Sequence, residues 1–357
     1  MRLRDFRDRI DAIDAGIVRL LAERLKMAEE IGKEKRKNGR HIEDKAREEE
    51  VLNKVKAVAL SEGVNQEDIA GIYRQIINTS RGMQGAEVAF QGEAGAYSEE
   101  AATGFFGPAV VTSPCETLDD VFKDVQEGKL PYGIVPVENS QEGSISRVYD
   151  LLLDSDVMVC GETQLRVSHC LIANKGAGLD SIKKIYSHPQ ALAQCQGFLR
   201  RLGCELIPTY DTAGSVKMIK EKSILDGAAV ASARAAEIYG MKIVAREIED
   251  NPRNTTRFFI ISKQDAAPTG NDKTSIVFLL RHRPGTLHES LKVFADRNIN
   301  LTKIESRPTR QKPWEYNFYL DFEGHRQDKI VLEALEELER TCLFLKVLGS
   351  YPKAKTQ

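Results

Sequence analysis

The chain has 357 residues, enough for two or three domains rather than one simple core. Its 51 lysines and arginines nearly balance 53 acids, a net charge of −2 that lends a nucleic-acid-binding role no electrostatic support. No apolar stretch is long enough to span a bilayer, the charged start Met1-Arg2-Leu3-Arg4-Asp5 lacks a signal-peptide core, and the six cysteines are scattered without a C-x-x-C pair. These features predict a cytoplasmic protein with reduced cysteines, no metal or disulfide framework, and neither membrane nor nucleic acid as partner.

In the first segment, residues 1–84, Leu3, Phe6, Ile10, Ile13, Ile17, Leu20, Met27 and Ile31 fall on an alternating three-four spacing. The spacing predicts one long helix, to about Asn38, with an apolar seam. Arg24 occupies the slot between Leu20 and Met27, where a guanidinium is costly unless an anion meets it. Lys35 follows on the same face, about 16 Å further along the axis. A second helix is expected from near Glu43, with Asp44, Arg47 and Glu48 on one face. A third runs from about Asn65 to Gln84; its stripe Ile69, Ile72, Tyr73, Ile76 and Ile77 is extended by the polar Ser80 and Gln84. A helical hairpin with solvated charges and a dimer seam would account for any one of these polar residues.

As a set, Arg7, Arg24, Lys35, Asp44, Arg47, Glu48, Ser80 and Gln84 resemble the pattern of the all-helical chorismate mutases. The resemblance implies an all-α three-helix domain that rearranges chorismate to prephenate in one pericyclic step. Such a step needs the substrate held in a compact geometry and its developing charge stabilised. By this resemblance Arg24 and Arg7 hold the substrate carboxylates with help from Arg47 and Ser80. Lys35 and Gln84 meet the ether oxygen as catalytic groups, and Glu48 and Asp44 anchor the ring hydroxyl. Arg7 lies about 25 Å from Arg24 along the same helix, too far for one small ligand to touch both. If both bind substrate, Arg7 serves a partner chain, which predicts an intertwined homodimer with shared sites.

From residue 85 to 264 the texture changes to alternating strands and helices. Strands are expected at Glu87–Gln91, Ala109–Thr112, Tyr132–Val137, Val157–Gln164, Cys170–Ala173, Lys184–Tyr186, Glu205–Thr209, Gly227–Ala231, Lys242–Ala245 and Phe258–Ser262. Small or polar residues fill the strand-to-helix turns, where open α/β sheets bind ligands. The expected architecture is two α/β lobes around a cleft, the second lobe spanning about 166–240. The polar stretch Asn251 to Phe258 then lies near the crossover. The Gly-x-x-Gly at 92 to 95 is neither a dinucleotide fingerprint nor a P-loop, so no nucleotide is inferred.

Four motifs here, in order, are Val88-Ala89-Phe90-Gln91-Gly92 with Ala96-Tyr97-Ser98; Pro136-Val137-Glu138-Asn139-Ser140; Ser187-His188-Pro189-Gln190; and Thr256-Arg257-Phe258. Together they resemble prephenate dehydratase, which implies a two-lobed, periplasmic-binding-protein-like α/β domain. Prephenate loses carbon dioxide and its ring hydroxyl together and becomes aromatic, so the site needs a proton donor at the hydroxyl and anchors for carboxylates. The resemblance assigns assistance of hydroxide departure to Thr256. It makes Arg257 the residue that orients Thr256 or pairs with a carboxylate. Glu138, Asn139, Ser140 and Gln190 line the cleft, with Ser98, Thr212 and Ser215 as further candidates. His188 precedes Pro189 at a turn and reads as structural.

A linker, Gln264 to Asp272, leads to a tail over 272–352. Its expected order is strand (Thr274–Leu280), helix (Gly285–Arg297), strand (Asn300–Arg307), strand (Trp314–Phe322), helix (Asp328–Thr341) and strand (Leu343–Ser350), that of an α+β ferredoxin-like module. Pro284-Gly285-Thr286-Leu287 and the run Asn300 to Pro308 resemble the ACT regulatory domain, which implies phenylalanine binding between paired modules. Gly285, Thr286, Leu287, Asn300, Glu305, Ser306 and Arg307 would form or brace that allosteric site. Thr286 stands where the commonest form of the motif has alanine, and His288 where a larger apolar or aromatic residue is usual. Trp314, the only tryptophan, reads as core or interface.

Together the three resemblances imply a multidomain enzyme with two activities in phenylalanine biosynthesis. Its substrates would be chorismate and prephenate, its allosteric inhibitor phenylalanine, its assembly a homodimer or higher homo-oligomer, and no cofactor would be needed. An arogenate-preferring dehydratase and a non-enzymatic sensor of aromatic metabolites are the alternatives.

Overall fold

A computed structural model describes residues 3–37, 45–83, 86–309 and 315–354. The chain divides into two compact units, residues 1–87 with 102–111, and residues 88–101 with 112–357.

The first unit contains α1 (Leu3–Lys37), α2 (Lys45–Ser61) and α3 (Gln66–Met83). α3 packs against both of the others. The residues it buries with them are small: Ala28, Ala59 and Ala70, joined by Ile77. The three-four stripe of α1 does form on one long helix. It is not core within one chain, however: Ile10, Ile13 and Ile17 are 55%, 54% and 49% exposed, and Leu20, Met27 and Ile31 are exposed too.

After the helices comes a two-lobed α/β region, whose first lobe comprises β1 (Glu87–Gln91), α4 (Tyr97–Phe106), β2 (Val111–Cys115), α5 (Leu118–Gln126), β3 (Tyr132–Asn139), the short β4 (Gly143–Ser144), α6 (Ser146–Asp154) and β5 (Met158–Arg166). The chain then crosses to a second lobe. This comprises β6 (Cys170–Ala173), β7 (Lys184–Ser187), α7 (Pro189–Gln194), α8 (Gln196–Leu202), β8 (Glu205–Pro208), α9 (Thr212–Glu221), β9 (Gly227–Ala231), α10 (Ala233–Tyr239) and β10 (Lys242–Ala245). β11 (Thr255–Ser262) returns to the first lobe. Its sheet runs β2-β1-β3-β11-β5, with β4 beside β3; the second lobe's sheet runs β10-β6-β9-β7-β8. β11 is central, antiparallel to both β3 and β5, and Phe258 to Ile261 are buried on both faces. The strand begins three residues before that apolar run, because Thr255, Thr256 and Arg257 already pair with β5.

Helix starts are fixed locally. Thr117 and Asp120 form a capping box on α5, and the Asp211 and Ser232 side chains cap α9 and α10. His188 caps α7: its Nδ1 accepts from the Gln190 N–H at 3.3 Å, and Pro189 takes the first helical position. That is the structural role the sequence suggested for it. Gly95 lets the lobes approach: its φ is +91°, and a Cβ there would sit 2.6 Å from Ala235 Cα on α10.

The tail continues with β12 (Asp272–Leu279), α11 (Thr286–Ala295), β13 (Leu301–Pro308), β14 (Tyr316–Glu323), α12 (Lys329–Thr341) and β15 (Phe344–Pro352). Its antiparallel sheet, ordered β13-β14-β12-β15, has two different faces. One buries Phe278, Phe294, Phe322 and Leu338 under α11 and α12. The other sends Val277, Tyr319, Leu348 and Tyr351 into the same core as Val135, Val159 and Phe259 of the first lobe. Gly349 packs so closely on Val159 that a Cβ would overlap its backbone. Trp314 lies outside the described residues. Among the described residues no helix is long and apolar enough to cross a membrane, and no group of three His, Cys, Asp or Glu could hold a metal. All six cysteines are free.

Candidate active sites and effector site

β3 and β11 pair so that Thr256 lies opposite Asn139, and Arg257 opposite Glu138. Side chains alternate across a strand, so each pair sends its residues to one face only.

On the first face, Asn139 is buried, and its Oδ1 accepts from the backbone N–H groups of Gln141 and Glu142 at 3.0 and 3.3 Å. This fixes the amide. Nδ2 must point the other way, where it donates to Thr256 Oγ1 at 3.0 Å and Asn254 Oδ1 at 2.8 Å. The order propagates: Asn254 Nδ2 donates to Gln194 Oε1 at 2.9 Å, and Gln194 Nε2 donates to Glu142 Oε1 at 3.3 Å. Gln194 Oε1 also lies 3.0 Å from His169 Nε2, which must therefore carry hydrogen. His169 Nδ1 is 2.8 Å from the Tyr97 hydroxyl. Burial pushes the His169 pKa down and the Tyr97 pKa up, so the ring is neutral and the phenol keeps its proton.

For Thr256 the consequence is directional. Its oxygen accepts from Asn139, which leaves its own hydroxyl hydrogen to be donated elsewhere. The network joins the lobes: Tyr97, Asn139, Glu142 and Thr256 come from the first, His169 and Gln194 from the second, and Asn254 from the crossover. Sequence reasoning missed Gln194, His169 and Glu142 as site residues, and passed over Tyr97 and Asn254 inside motifs it quoted. The one available signal was the polarity of Asn254 two positions before Thr256.

Arg257 and Glu138 occupy the other face. Arg257 Nε donates to Glu162 at 2.8 Å, Nη1 to Asp321 at 2.6 Å and Nη2 to the Tyr351 hydroxyl at 3.0 Å. Its guanidinium stands 4.7 Å over the Phe259 ring, and Lys273 reaches the same Glu162 at 2.9 Å. Burial works against the Arg257 charge, but Asp321, Tyr351 and Glu162 outweigh it and raise the pKa. Burial likewise opposes the Asp321 charge, and Arg257 and Ser275 hold that carboxyl below its usual value. Glu138 lies 3.2 Å from Lys303 Nζ and 3.9 Å from Arg257. Strand alternation thus sets Glu138 on the face opposite Thr256, against the expectation that it lines the cleft beside Asn139, and gives Arg257 the carboxylates of Glu162 and Asp321 to pair with. Both residues turn toward the tail.

The remaining dehydratase candidates hold the frame or begin helices. Ser140 Oγ accepts from the Thr255 N–H at 3.0 Å, tying β3 to β11. Ser215 is buried, its hydroxyl within 2.7 Å of the Asp211 carbonyl and 2.5 Å of Thr209 Oγ1, so it braces the start of α9. Ser98, Gln190 and Thr212 sit in the first turns of α4, α7 and α9.

In the helical unit, Arg24 Nη1 donates to the buried Ser80 Oγ, whose hydroxyl donates to the Ile76 carbonyl at 2.7 Å. The structure thus brings these two candidates together. Arg47, expected with them, is exposed and reaches Glu50 along its own helix at 2.6 Å. Glu48 is half-buried on α2 and Arg7 is exposed near the start of α1. Asp44, Gln84 and the side chain of Lys35 fall outside the described residues.

In the tail, Gly285 adopts φ +87° just ahead of α11, and Thr286 Oγ1 lies 3.0 Å from the Arg281 and Arg283 carbonyls. Gly285, Thr286 and Leu287 border a cavity of ≈ 260 Å³ with His288, Tyr316 and Phe318. Asn300 and Ser306 are exposed. Arg307 instead turns inward and meets Asp150 of α6 at 3.1 Å, and Glu305 meets Lys303 at 3.3 Å. Alternation along β13 therefore divides residues that the sequence placed in one site.

Residues 88–266 match the family model for prephenate dehydratase, residues 6–85 that for type II chorismate mutase, and residues 274–340 that for the ACT domain. A bifunctional chorismate mutase/prephenate dehydratase of Aquifex aeolicus is 41% identical over 99% of this chain and 99% of its own length. The chloroplastic arogenate dehydratase/prephenate dehydratase 2 of Arabidopsis thaliana is 46% identical, over 74% of this chain and 72% of its own. The crystal structure of prephenate dehydratase from Arthrobacter aurescens, in complex with L-Phe, matches at 31% identity with a TM-score of 0.70, covering 76% of this chain and 91% of that one.

Proposed function

The chain belongs to the bifunctional chorismate mutase/prephenate dehydratases, and from that premise we propose how its residues divide the work. The helical unit rearranges chorismate to prephenate. The two-lobed region removes carbon dioxide and the ring hydroxyl to give phenylpyruvate, and the tail subjects the enzyme to phenylalanine.

In the dehydratase step, the carrying observation is the fixed amide order around Thr256. Because Asn139 donates to Thr256 Oγ1, the threonine offers its hydrogen to the departing hydroxide. A threonine hydroxyl is a weak acid, so it acts mainly by hydrogen bonding as the carbon–oxygen bond lengthens. Asn254, Gln194 and His169 hold Asn139 and the cleft in this polarity. Ser98, Ser140, Gln190, Thr212 and Ser215 rest on motif alone as substrate contacts, and Ser140 and Ser215 already have framework bonds.

In the mutase step, Arg24, steadied by Ser80, holds a substrate carboxylate, since a guanidinium is permanently charged and can bind it through two N–H groups. Lys35 and Gln84 are assigned to the breaking ether bond, Asp44 and Glu48 to the ring hydroxyl, and Arg47 to a supporting charge. Arg7 serves the site of a second copy of the chain. The half-exposed stripe of α1 supports such a copy, because its isoleucines have no core to enter within one chain. The effector, phenylalanine, is assigned to the cavity beside Gly285, Thr286 and Leu287.

Supplying chorismate to the full-length enzyme, with and without phenylalanine, and following both products tests the whole assignment. Prephenate should appear and pass to phenylpyruvate, and phenylalanine should slow the second step. Accumulation of prephenate without phenylpyruvate would refute the Thr256 assignment. A second reading, dehydration of arogenate, gains support from Glu142, whose exposed carboxylate beside Gln194 could accept a substrate ammonium. The Arabidopsis relative's name includes both substrates. Comparing rates on prephenate and arogenate separates the two.

A further inference from the structure

Between the face of β3 and β11 that turns away from Thr256 and the tail sheet, four charges form a square. Glu138 lies opposite Arg257 in the β3–β11 pair, and Lys303 lies opposite Asp321 in the β13–β14 pair. Between the two sheets, Glu138 meets Lys303 at 3.2 Å and Arg257 meets Asp321 at 2.6 Å. Signs therefore alternate around all four corners. Three of the side chains are well covered: Arg257, Lys303 and Asp321 are 11%, 10% and 4% exposed.

Each first-lobe corner is the chain neighbour of a residue in the catalytic pair: Arg257 follows Thr256, and Glu138 precedes Asn139. The β3–β11 register also shifts just beyond this point, where Phe258 pairs with Pro136 and Val137 is left as a bulge. A bulge re-aims the end of a strand, so the catalytic ends of β3 and β11 are set by what holds their reverse side. What holds them is the tail. Lys303 sits on β13, between the exposed Asn300 and Ser306 of the proposed effector region. It also reaches Ser144 of β4 at 2.6 Å and stands 5.3 Å over the Tyr149 ring. If β13 shifts, it carries Lys303 and Glu305 together, so the Glu138–Lys303 pair is the link between the sheets that must stretch or take Glu138 along.

We propose that Arg257 is a positioning residue for Thr256, and that the Glu138–Lys303 and Arg257–Asp321 pairs carry the phenylalanine state of the tail to the dehydratase site. The second part rests on the phenylalanine regulation given above; the first does not. Coupling then travels through two sheet-to-sheet ion pairs and one residue step along each strand. Such a route needs a coupling measurement, since spatial intermediacy alone does not establish it.

The test uses full-length enzyme. Lys303→Met should keep dehydratase turnover within about threefold and bind phenylalanine, by calorimetry, within about threefold of wild type. The factor by which saturating phenylalanine lowers turnover should shrink at least about fivefold, the lower end of ordinary allosteric couplings. Lys303→Arg, which keeps the charge, should retain inhibition, and an unaltered melting temperature establishes folding. Inhibition of Lys303→Met as strong as wild type overturns the route, and so does loss of phenylalanine binding, which would put Lys303 in the effector site itself. Wild-type enzyme that phenylalanine does not inhibit overturns the regulation and the route with it.

The positioning role is read separately. Arg257→Lys should lower kcat by about tenfold with KM within about threefold, the signature of misplaced transition-state contacts. Asp321→Asn should do the same more weakly. A raised KM at unchanged kcat would make Arg257 a substrate ligand and overturn this assignment.

Discussion

In the two-lobed region, the polar chain from Asn139 through Asn254 and Gln194 to His169 closes within one copy of the protein. In the helical unit, Arg24 meets Ser80, but Ile10, Ile13 and Ile17 earlier on the same helix stay half exposed. The difference follows from core size. Two sheets and a shared core with the tail leave room to bury Asn139, Asn254 and Gln194 and to pair their amides. Three helices whose buried contacts are mostly alanines leave the long stripe of α1 uncovered, which is where the proposed second copy would pack. On the proposed reading, one active site is finished by folding and the other by association.

The sharpest way to break that contrast is to charge the stripe. Ile13→Asp with Ile17→Asp takes four half-exposed isoleucines out of the proposed dimer seam; covering the exposed half of each is worth about 0.8–1.5 kcal/mol, or roughly 3–6 kcal/mol in all. Mutase activity should vanish while dehydratase activity on supplied prephenate stays within about twofold. Retained mutase activity in a monomer, shown by sedimentation, would end the shared-site proposal. Next in size is Thr256→Ala, which should lower dehydratase kcat on the order of 10²-fold or more and spare the mutase. Equal losses in both activities would show that the change acts on folding rather than on the departing hydroxide.

The smallest effect is a pH dependence confined to the two-lobed region. Burial holds the folded pKa of His169 below its ordinary value of about 6.5. Between the two values the unfolded chain binds the extra proton, so stability falls as pH drops below about 6.5, by up to roughly 1.4 kcal/mol per unit of depression. The loss stops once pH passes below the folded pKa. His169→Gln should flatten this slope when unfolding is followed between pH 7.5 and 5.5, and an unchanged slope would assign it to another group.

Most strands were legible because fully apolar runs such as Phe258-Phe259-Ile260-Ile261 leave little alternative to a buried strand. Their ends were not: β11 begins at Thr255, and polar side chains do not reveal that their backbones pair. This boundary error produced the main functional one. Read as a loop, Thr256-Arg257 could gather around one ligand. Read as a strand, the two must face opposite ways, and the period of two then sends Arg257 to Asp321. β2 runs Val111–Cys115 rather than Ala109–Thr112, and tolerates Pro114 because it lies at a sheet edge. Gln194 and His169 were illegible on different grounds: their partners lie 60 and 25 residues away, and only the folded lobes bring them together.

Tyr351 and Leu348, three and six residues before the last described position, are 0% and 1% exposed inside the first lobe's core. They follow five other elements of the tail, so the first lobe keeps Val135 and Phe259 uncovered until β15 docks. Cutting the chain before β15 would therefore open the dehydratase lobe's own core and expose it to aggregation, rather than merely remove a regulator.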